Sequence, residues 1–285
     1  MNITGSTRVF FILGDPIAQV RAPELYNHLF TRHGVDAVLV PVQVPPPALE
    51  AFVRGAMSAR NIDGLWITIP HKAALLGLLD RCDALGHAAG AVNAARRNAD
   101  GSLEGALFDG TGFAKSLDHF GIRVAGRRVL LVGAGGAGMA IAASLATRGV
   151  AELALFDAGP GRAHNVAQRV RGAFMVNVNT PDRVDPAGYD LVINATPLGL
   201  KDSDPLPFDV NRIDANAAVV DILMTRQATP LLKACAARGI TAHPGYEMLV
   251  QQIPEYLSFF GFDSLAHKLR DDASEVRAML QPRSP

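Results

Sequence analysis

Cysteine is nearly absent from this chain, neither sign of charge is in excess, and no apolar run is long enough to cross a membrane. Cys82 and Cys235 stand outside any metal-ligand spacing. The eight histidines form no His-Glu-x-x-His pattern and no pairing with those cysteines, so no metal is assigned. Lys plus Arg and Asp plus Glu both number 27, which supplies no basic field for nucleic acid and points to a small-molecule partner. With no secretory segment near Met1, the expected setting is a reducing cytoplasm, without a membrane partner, for a monomer or homodimer. What is present suits a compact core: 49% of residues are apolar and 19% charged, and 285 residues suggest two domains.

The strongest local pattern is Arg128 to Gly138, where a Val-Leu-Leu-Val run stops at a glycine-rich turn and an alanine-rich helical segment follows from Met139 to Arg148. It reads as strand, phosphate loop and helix. Gly133 permits the tight turn, Gly135 lets backbone approach a pyrophosphate, and Gly138 lets the helix sit close to the strand. The peptide N–H groups of Ala134, Gly136 and Ala137 stand at the helix start, where they attract phosphate. A second apolar run, Leu153 to Phe156, ends in Asp157, at about the ~20-residue offset where an acid meets a ribose 2′-hydroxyl. This pattern predicts a Rossmann-type domain that prefers NAD.

Around that motif the chain alternates. Val9–Leu13, Ala37–Val44 and Gly64–Ile69 read as strands, separated by helical faces through Leu25, Leu29 and Phe30 and through Leu49, Phe52, Val53 and Met57. Pro70 is placed to start a helix running to Leu79, with Lys72 in its first turn. Ala91–Arg96 and Ser102–Leu107 flank a hairpin turn at 98–101. Further strands are expected at Val129–Val132, Leu153–Phe156, Ala173–Val178, Leu191–Asn194 and Ala218–Asp221, with helices from Pro230 to Gly239, from Gly245 onward, and over Ser264–Leu280. The implied fold is α/β with parallel, helix-covered sheets, whose ligands collect beyond the carboxyl ends of the strands.

Four residues at those ends have two readings each. A cation at a helix N-terminus is disfavoured, so Lys72 is either solvated or put to chemical use. Asp109 is an N-cap or a working carboxylate. Asn194 and Thr196 form a turn or face a nicotinamide.

Taken in order, Gly14-Asp15-Pro16-Ile17, Thr68-Ile69-Pro70-His71-Lys72, Gly90-Ala91-Val92-Asn93, Asp109-Gly110-Thr111-Gly112-Phe113, the glycine loop, Asn194-Ala195-Thr196-Pro197 and Met248-Leu249-Val250-Gln251-Gln252 resemble the shikimate dehydrogenase family, including its quinate-oxidising members. The resemblance covers nearly the whole chain. It implies a substrate domain built from both chain ends, residues 1–107 with 246–285, and an inserted nucleotide domain over 108–245. It implies Lys72 and Asp109 as the catalytic pair, Thr68, Asn93 and Gln252 as substrate contacts, and Gly245 at the cofactor.

The resemblance fails at one end of the substrate site. Where the family has a His-Ser-x-Ser-Pro segment whose serines hold a carboxylate, this chain has Gln19-Val20-Arg21-Ala22-Pro23, and Trp66 replaces an asparagine. Leu107-Phe108 replaces Asn-Thr, and Met224 replaces a tyrosine. Val20, Ala22 and Trp66 are therefore expected to make that end bulky and apolar. A carboxylate there lacks donors unless Arg21, Gln19 or Arg226 supplies them. The expected function is NAD-dependent oxidation of a ring hydroxyl on a shikimate-like cyclic polyol with altered specificity. An ordinary biosynthetic shikimate dehydrogenase is the alternative. A non-catalytic dinucleotide sensor is disfavoured, because a sensor needs no proton-transfer pair.

Overall fold

The computed structural model describes residues 2–201, 203–225 and 227–280. The described residues gather into two compact units, one comprising residues up to Phe108 together with Ile253–Met279 and the other Asp109–Gln252 with Leu280.

The first unit opens with β1 (Arg8–Gly14), α1 (Ala22–Arg32), β2 (Ala37–Gln43), α2 (Leu49–Ser58) and β3 (Ile62–Ile67). These continue into α3 (Lys72–Leu76), β4 (Arg81–Cys82), α4 (Ala84–Ala89), β5 (Ala94–Arg97) and β6 (Leu103–Ala106). The sheet runs β2-β1-β3-β5-β6-β4. Its β1, β2 and β3 are parallel, as expected, but β5 pairs antiparallel with both β3 and β6. The hairpin turn makes this sheet mixed, because only five residues separate β5 from β6. One face packs Leu13, Leu65 and Ile67 against Leu49, Val53 and Met57 of α2.

Two expectations here are corrected. The third strand stops at Ile67, because His71 N–H bonds the Thr68 carbonyl and turns the chain, so the helix begins at Lys72 rather than Pro70 and ends at Leu76. Helix α4 had no apolar stripe to announce it; Asp83 caps it through the Gly86 N–H at 2.8 Å.

The second unit begins with α5 (Phe108–His119), whose first residue belongs to the first unit. It continues through β7 (Arg128–Val132), α6 (Gly136–Ala146), β8 (Glu152–Phe156), α7 (Arg162–Ala173), β9 (Val178–Asn179), β10 (Leu191–Asn194), β11 (Ala218–Asp221), α8 (Pro230–Ala237) and β12 (Thr241–Pro244). All its strand pairs are parallel, in the order β12-β11-β10-β7-β8-β9. The chain winds outward from β7 through β9 and returns to β10 on the other side. That is the doubly wound order with its switch point between β7 and β10. Along β7 alternate residues serve opposite faces: Val129 and Leu131 meet Ile141 and Leu145 of α6, while Leu130 and Val132 share a cluster with Leu231 and Cys235 of α8. Residues Ala173–Val178 were expected to be a strand, but Ala173 ends α7 and only Val178–Asn179 pair with β8. Strand β12 went unread because His243 and Pro244 interrupt its apolar character.

Helix α9 (Tyr246–Phe259) is continuous, and the return between units falls inside it, after Gln252, not at its start. The expected final helix is two: α10 (Asp263–Asp271) and α11 (Ser274–Leu280). Asp272 is extended, and its carboxylate accepts the Ser274 N–H at 2.8 Å, which starts the second helix. Among the described residues no helix is long and apolar enough to cross a membrane, and no group of three His, Cys, Asp or Glu could hold a metal ion.

Candidate active site

The glycine loop has the geometry a dinucleotide needs. Gly133 has φ +109°, and a Cβ there would lie 2.6 Å from the Ala195 carbonyl. A Cβ on Gly138 would collide with the Gly133 carbonyl oxygen, so α6 reaches β7 only through glycine. Gly135, the residue before α6, faces open space and offers no side-chain cap, which leaves the N–H groups at Gly136 and Ala137 to an incoming anion. The two glycines should therefore fail differently. Gly138→Ala is expected to lower Tm along with dinucleotide affinity, since overpacking at such a contact typically costs about 1–3 kcal/mol. Gly135→Ala should weaken dinucleotide binding at unchanged Tm. Thermal melts and calorimetric titration separate the two outcomes, and equal Tm losses would contradict the assignment.

Asp157 follows β8 with its carboxylate largely enclosed. Oδ2 accepts the Ala134 N–H at 2.7 Å, Oδ1 accepts the Gly159 N–H at 2.7 Å, and Arg162 Nη1 stands 3.9 Å from Oδ1. The acid thus also braces the glycine loop.

Asn194 corrects a simple expectation of direct cofactor contact. It is fully buried, its Nδ2 donates to Asp221 Oδ1 and the Leu198 carbonyl, and its Oδ1 accepts both the N–H and the hydroxyl of Thr196. Its side chain shapes the loop. Thr196 Oγ1 in turn accepts the Leu198 N–H. Gly245 lies where any Cβ would strike the Ile222 backbone, so its role is close packing of the loops after β11 and β12.

Also in the second unit, Asp109 is the second residue of α5 and only 7% exposed, inside the helix rather than capping it. A Cβ on Gly112 would lie 2.8 Å from the Gln252 Cβ, so glycine brings α5 against α9. Gln252 is buried, and its Oε1 has no hydrogen-bond partner.

In the first unit, three predicted residues collect beyond β3. Thr68 N–H bonds the Leu13 carbonyl, the Lys72 carbonyl accepts the Val92 N–H at 2.9 Å, and the next residue, Asn93, accepts the Ile67 N–H on its carbonyl. Lys72 is half-buried at the start of α3, behind a buried His71 whose Nε2 donates to the Val44 carbonyl at 2.7 Å. Asn93 is 1% exposed; its Oδ1 accepts the Phe108 N–H at 2.9 Å, which orients the amide and leaves Nδ2 without a partner. Tyr256 Oη donates to the Asn93 carbonyl at 3.1 Å. That residue was missed, although its position four after Gln252 on one helix was a usable signal.

The divergent end is rearranged differently from expectation. Trp66 is 2% exposed and stacked on Tyr256 (5.5 Å, 6°) and Phe260 (4.1 Å, 27°), with Phe10 and Tyr26 edge-on. Its indole belongs to the aromatic core, not to an open pocket wall, because these rings offer it more buried contact than a surface would. Val20 and Ala22 are half-buried at the entry to α1. Two proposed replacement donors have other partners: Arg21 Nη2 donates to the Met279 carbonyl and Gln19 Nε2 to the Pro16 carbonyl. Arg226 lies outside the described residues, and Met224 is exposed.

Residues 12–95 match the model of the shikimate dehydrogenase substrate binding domain. A protein of Rubrobacter xylanophilus named shikimate dehydrogenase (NADP(+)) is 37% identical over 255 residues, covering 88% of this chain and 89% of its own. The ligand-free 5-ketofructose reductase of Gluconobacter sp. strain CHM43 superposes with TM-score 0.83 at 26% identity, over 94% of this chain and 99% of that one. Quinate dehydrogenase from Corynebacterium glutamicum, in complex with NAD, gives TM-score 0.81 at 26% identity over 93% and 98%. With a relative this similar across nearly its full length, and with the doubly wound unit and glycine loop in place, the chain belongs to the shikimate dehydrogenase family.

Proposed function

We propose that this protein is an NAD-dependent oxidoreductase that oxidises one hydroxyl of a cyclic polyol and has lost the family's grip on a substrate carboxylate. The observation that carries the reading is the pair of orphaned amide atoms. Asn93 Nδ2 is a buried donor and Gln252 Oε1 a buried acceptor, each without a partner. A buried polar atom left unpaired costs about 1–3 kcal/mol, so each is best explained by a ligand group, and a hydroxyl can both accept and donate. These are the two residues that the family resemblance assigns to ring hydroxyls.

A bound nicotinamide supplies the hydride acceptor. The hydroxyl proton must leave in the same reaction, and Lys72 Nζ is assigned to take it. Asp109 is assigned to orient the reacting hydroxyl. The reverse direction returns the same proton to a carbonyl oxygen. Thr68, Asn93 and Gln252 hold the remaining ring oxygens.

At the other end, Val20 and Ala22 offer no side-chain donors, Gln19 is bonded within its own segment to the Pro16 carbonyl, and Arg21 is bonded to the Met279 carbonyl. A carboxylate placed there would be desolvated without compensation, which favours an uncharged ring or one whose charge lies elsewhere. The 5-ketofructose reductase among the structural neighbours is named for an uncharged ketose, in keeping with this reading. The names of the curated relatives favour ordinary shikimate oxidation as the second reading.

NAD is the preferred dinucleotide in this proposal, although the curated relatives are named for NADP(+). A carboxylate accepts from a ribose diol and repels a 2′-phosphate, and Asp157 is braced in place by two backbone N–H groups. kcat/KM with NAD is expected to exceed that with NADP, and Asp157→Asn to narrow the gap. Comparable values in the wild type would show that Arg162 receives the phosphate instead. The function itself is tested by following NADH formation with shikimate, quinate, aminated analogues and uncharged cyclic diols. Turnover of none of them would overturn it.

A further inference from the structure

Asp221 ends β11 with its carboxylate wholly buried, and among the described residues it meets only neutral donors. Oδ1 accepts Asn194 Nδ2 at 3.0 Å and the Leu223 N–H at 3.3 Å, and Oδ2 accepts Thr229 Oγ1 at 2.6 Å. We propose that Asp221 is a positioning residue that ties the loops after β10 and β11 to one another and so holds residues 195–199 in place for the nicotinamide half of the dinucleotide. The inference rests on the dinucleotide reading above and assigns Asp221 no contact with the cofactor.

The tie can be followed atom by atom. Thr229 caps α8, accepting the Leu232 N–H at 3.3 Å while donating to Asp221. Asp221 fixes the Asn194 amide, and Asn194 Oδ1 fixes both the N–H and the hydroxyl of Thr196. Ala195 N–H bonds the Val132 carbonyl at 2.7 Å, and the Gly133 turn leaves room for the Ala195–Thr196 backbone. The Ile222 N–H bonds the Asn194 carbonyl at 3.1 Å, which adds the segment leading to Met224. Loops after three adjacent strands, β7, β10 and β11, thus share one buried network.

The position of the network decides which half of the cofactor it serves. Asp157 follows β8 on one side of β7, and Asn194 ends β10 on the other. A dinucleotide lying across the switch point has its adenosine toward β8 and its nicotinamide toward β10. Burial raises the Asp221 carboxyl above the usual carboxylate range, a cost that a surface acid would not carry. The carboxylate is also separable from its shape. Both Oδ1 partners are N–H groups that can only donate, whereas the Oδ2 partner is a hydroxyl that can reverse. An asparagine with its oxygen in the Oδ1 place therefore keeps every contact.

The experiment compares NADH with ADP-ribose, which lacks the nicotinamide, by calorimetric titration of the full chain. Asp221→Ala is expected to raise the NADH Kd about fivefold to tenfold, as loss of one or two hydrogen bonds does, and to change the ADP-ribose Kd less than about twofold. Asp221→Asn should restore wild-type NADH binding. If Asp221→Ala does not fold, Asn194→Ala cuts the same tie from the loop side and should show the same NADH-selective loss. Equal weakening of both ligands would mean a general structural role, and unchanged binding of both would mean no role. Failure of Asp221→Asn to restore binding would mean that charge, not geometry, matters. Each result overturns the proposal. Wild-type protein that binds neither ligand would instead remove the cofactor reading on which the proposal rests.

Discussion

Lys72→Ala is expected to lower kcat by about 10²–10⁴-fold, the usual contribution of a positioned acid or base, while dinucleotide affinity stays within about twofold. The asymmetry follows from placement. Lys72 begins α3 in the first unit, whereas the glycine loop, Asp157 and the Asn194 network all belong to the second. Its backbone carbonyl accepts the Val92 N–H whatever the side chain, so truncation removes the amine without releasing α3 from the segment that carries Asn93. Asp109→Asn should also cost turnover. The double variant should lose less than the product of the two single losses, because both residues serve one proton transfer. Normal turnover in Lys72→Ala, or loss of NAD binding instead, would remove lysine from the proton path.

The second large effect concerns the carboxylate end. Shikimate is expected to bind with a high KM, since a charged group short of donors loses about 1–3 kcal/mol or more, equivalent to tenfold to a few hundredfold in affinity. Val20→Ser with Ala22→Ser should recover part of that in KM and little in kcat, because the added hydroxyls face a group that does not react. Both positions sit at the start of α1, where serine is well tolerated, so the double variant should fold. A wild-type shikimate KM in the micromolar range, or a complex showing Arg21 turned from the Met279 carbonyl onto the carboxylate, would favour an ordinary shikimate dehydrogenase.

These expectations came unevenly from the sequence. The doubly wound unit was legible because each of its strands but two is a short apolar run closed by a turn residue, and the glycine pattern fixed where the order reverses. The exceptions have physical causes: β9 retains only two paired residues after α7 ends at Ala173, and β12 carries His243 and Pro244 where an apolar run would be expected. Helix α4 depends on the Asp83 cap, a local hydrogen bond without periodic signature. Trp66 was read as a pocket wall from its place in a motif, but the rings that enclose it lie far away in sequence, at Phe10, Tyr26, Tyr256 and Phe260. Asn194 was read as a cofactor contact for a similar reason. Its partner Asp221 is 27 residues away, and nothing local distinguishes an amide aimed at a ligand from one bonded to a buried acid. The unpartnered atoms on Asn93 and Gln252 could not be seen in sequence at all, since satisfaction of a polar group is a property of the packed chain.

The central claim is most directly tested by measuring kcat/KM for NAD reduction with shikimate and with an uncharged cyclic diol, side by side, in wild type and in Lys72→Ala. The account predicts a higher value for the uncharged diol in the wild type and collapse of both in the variant. Efficient turnover of shikimate alone, with NADP preferred over NAD, would contradict it.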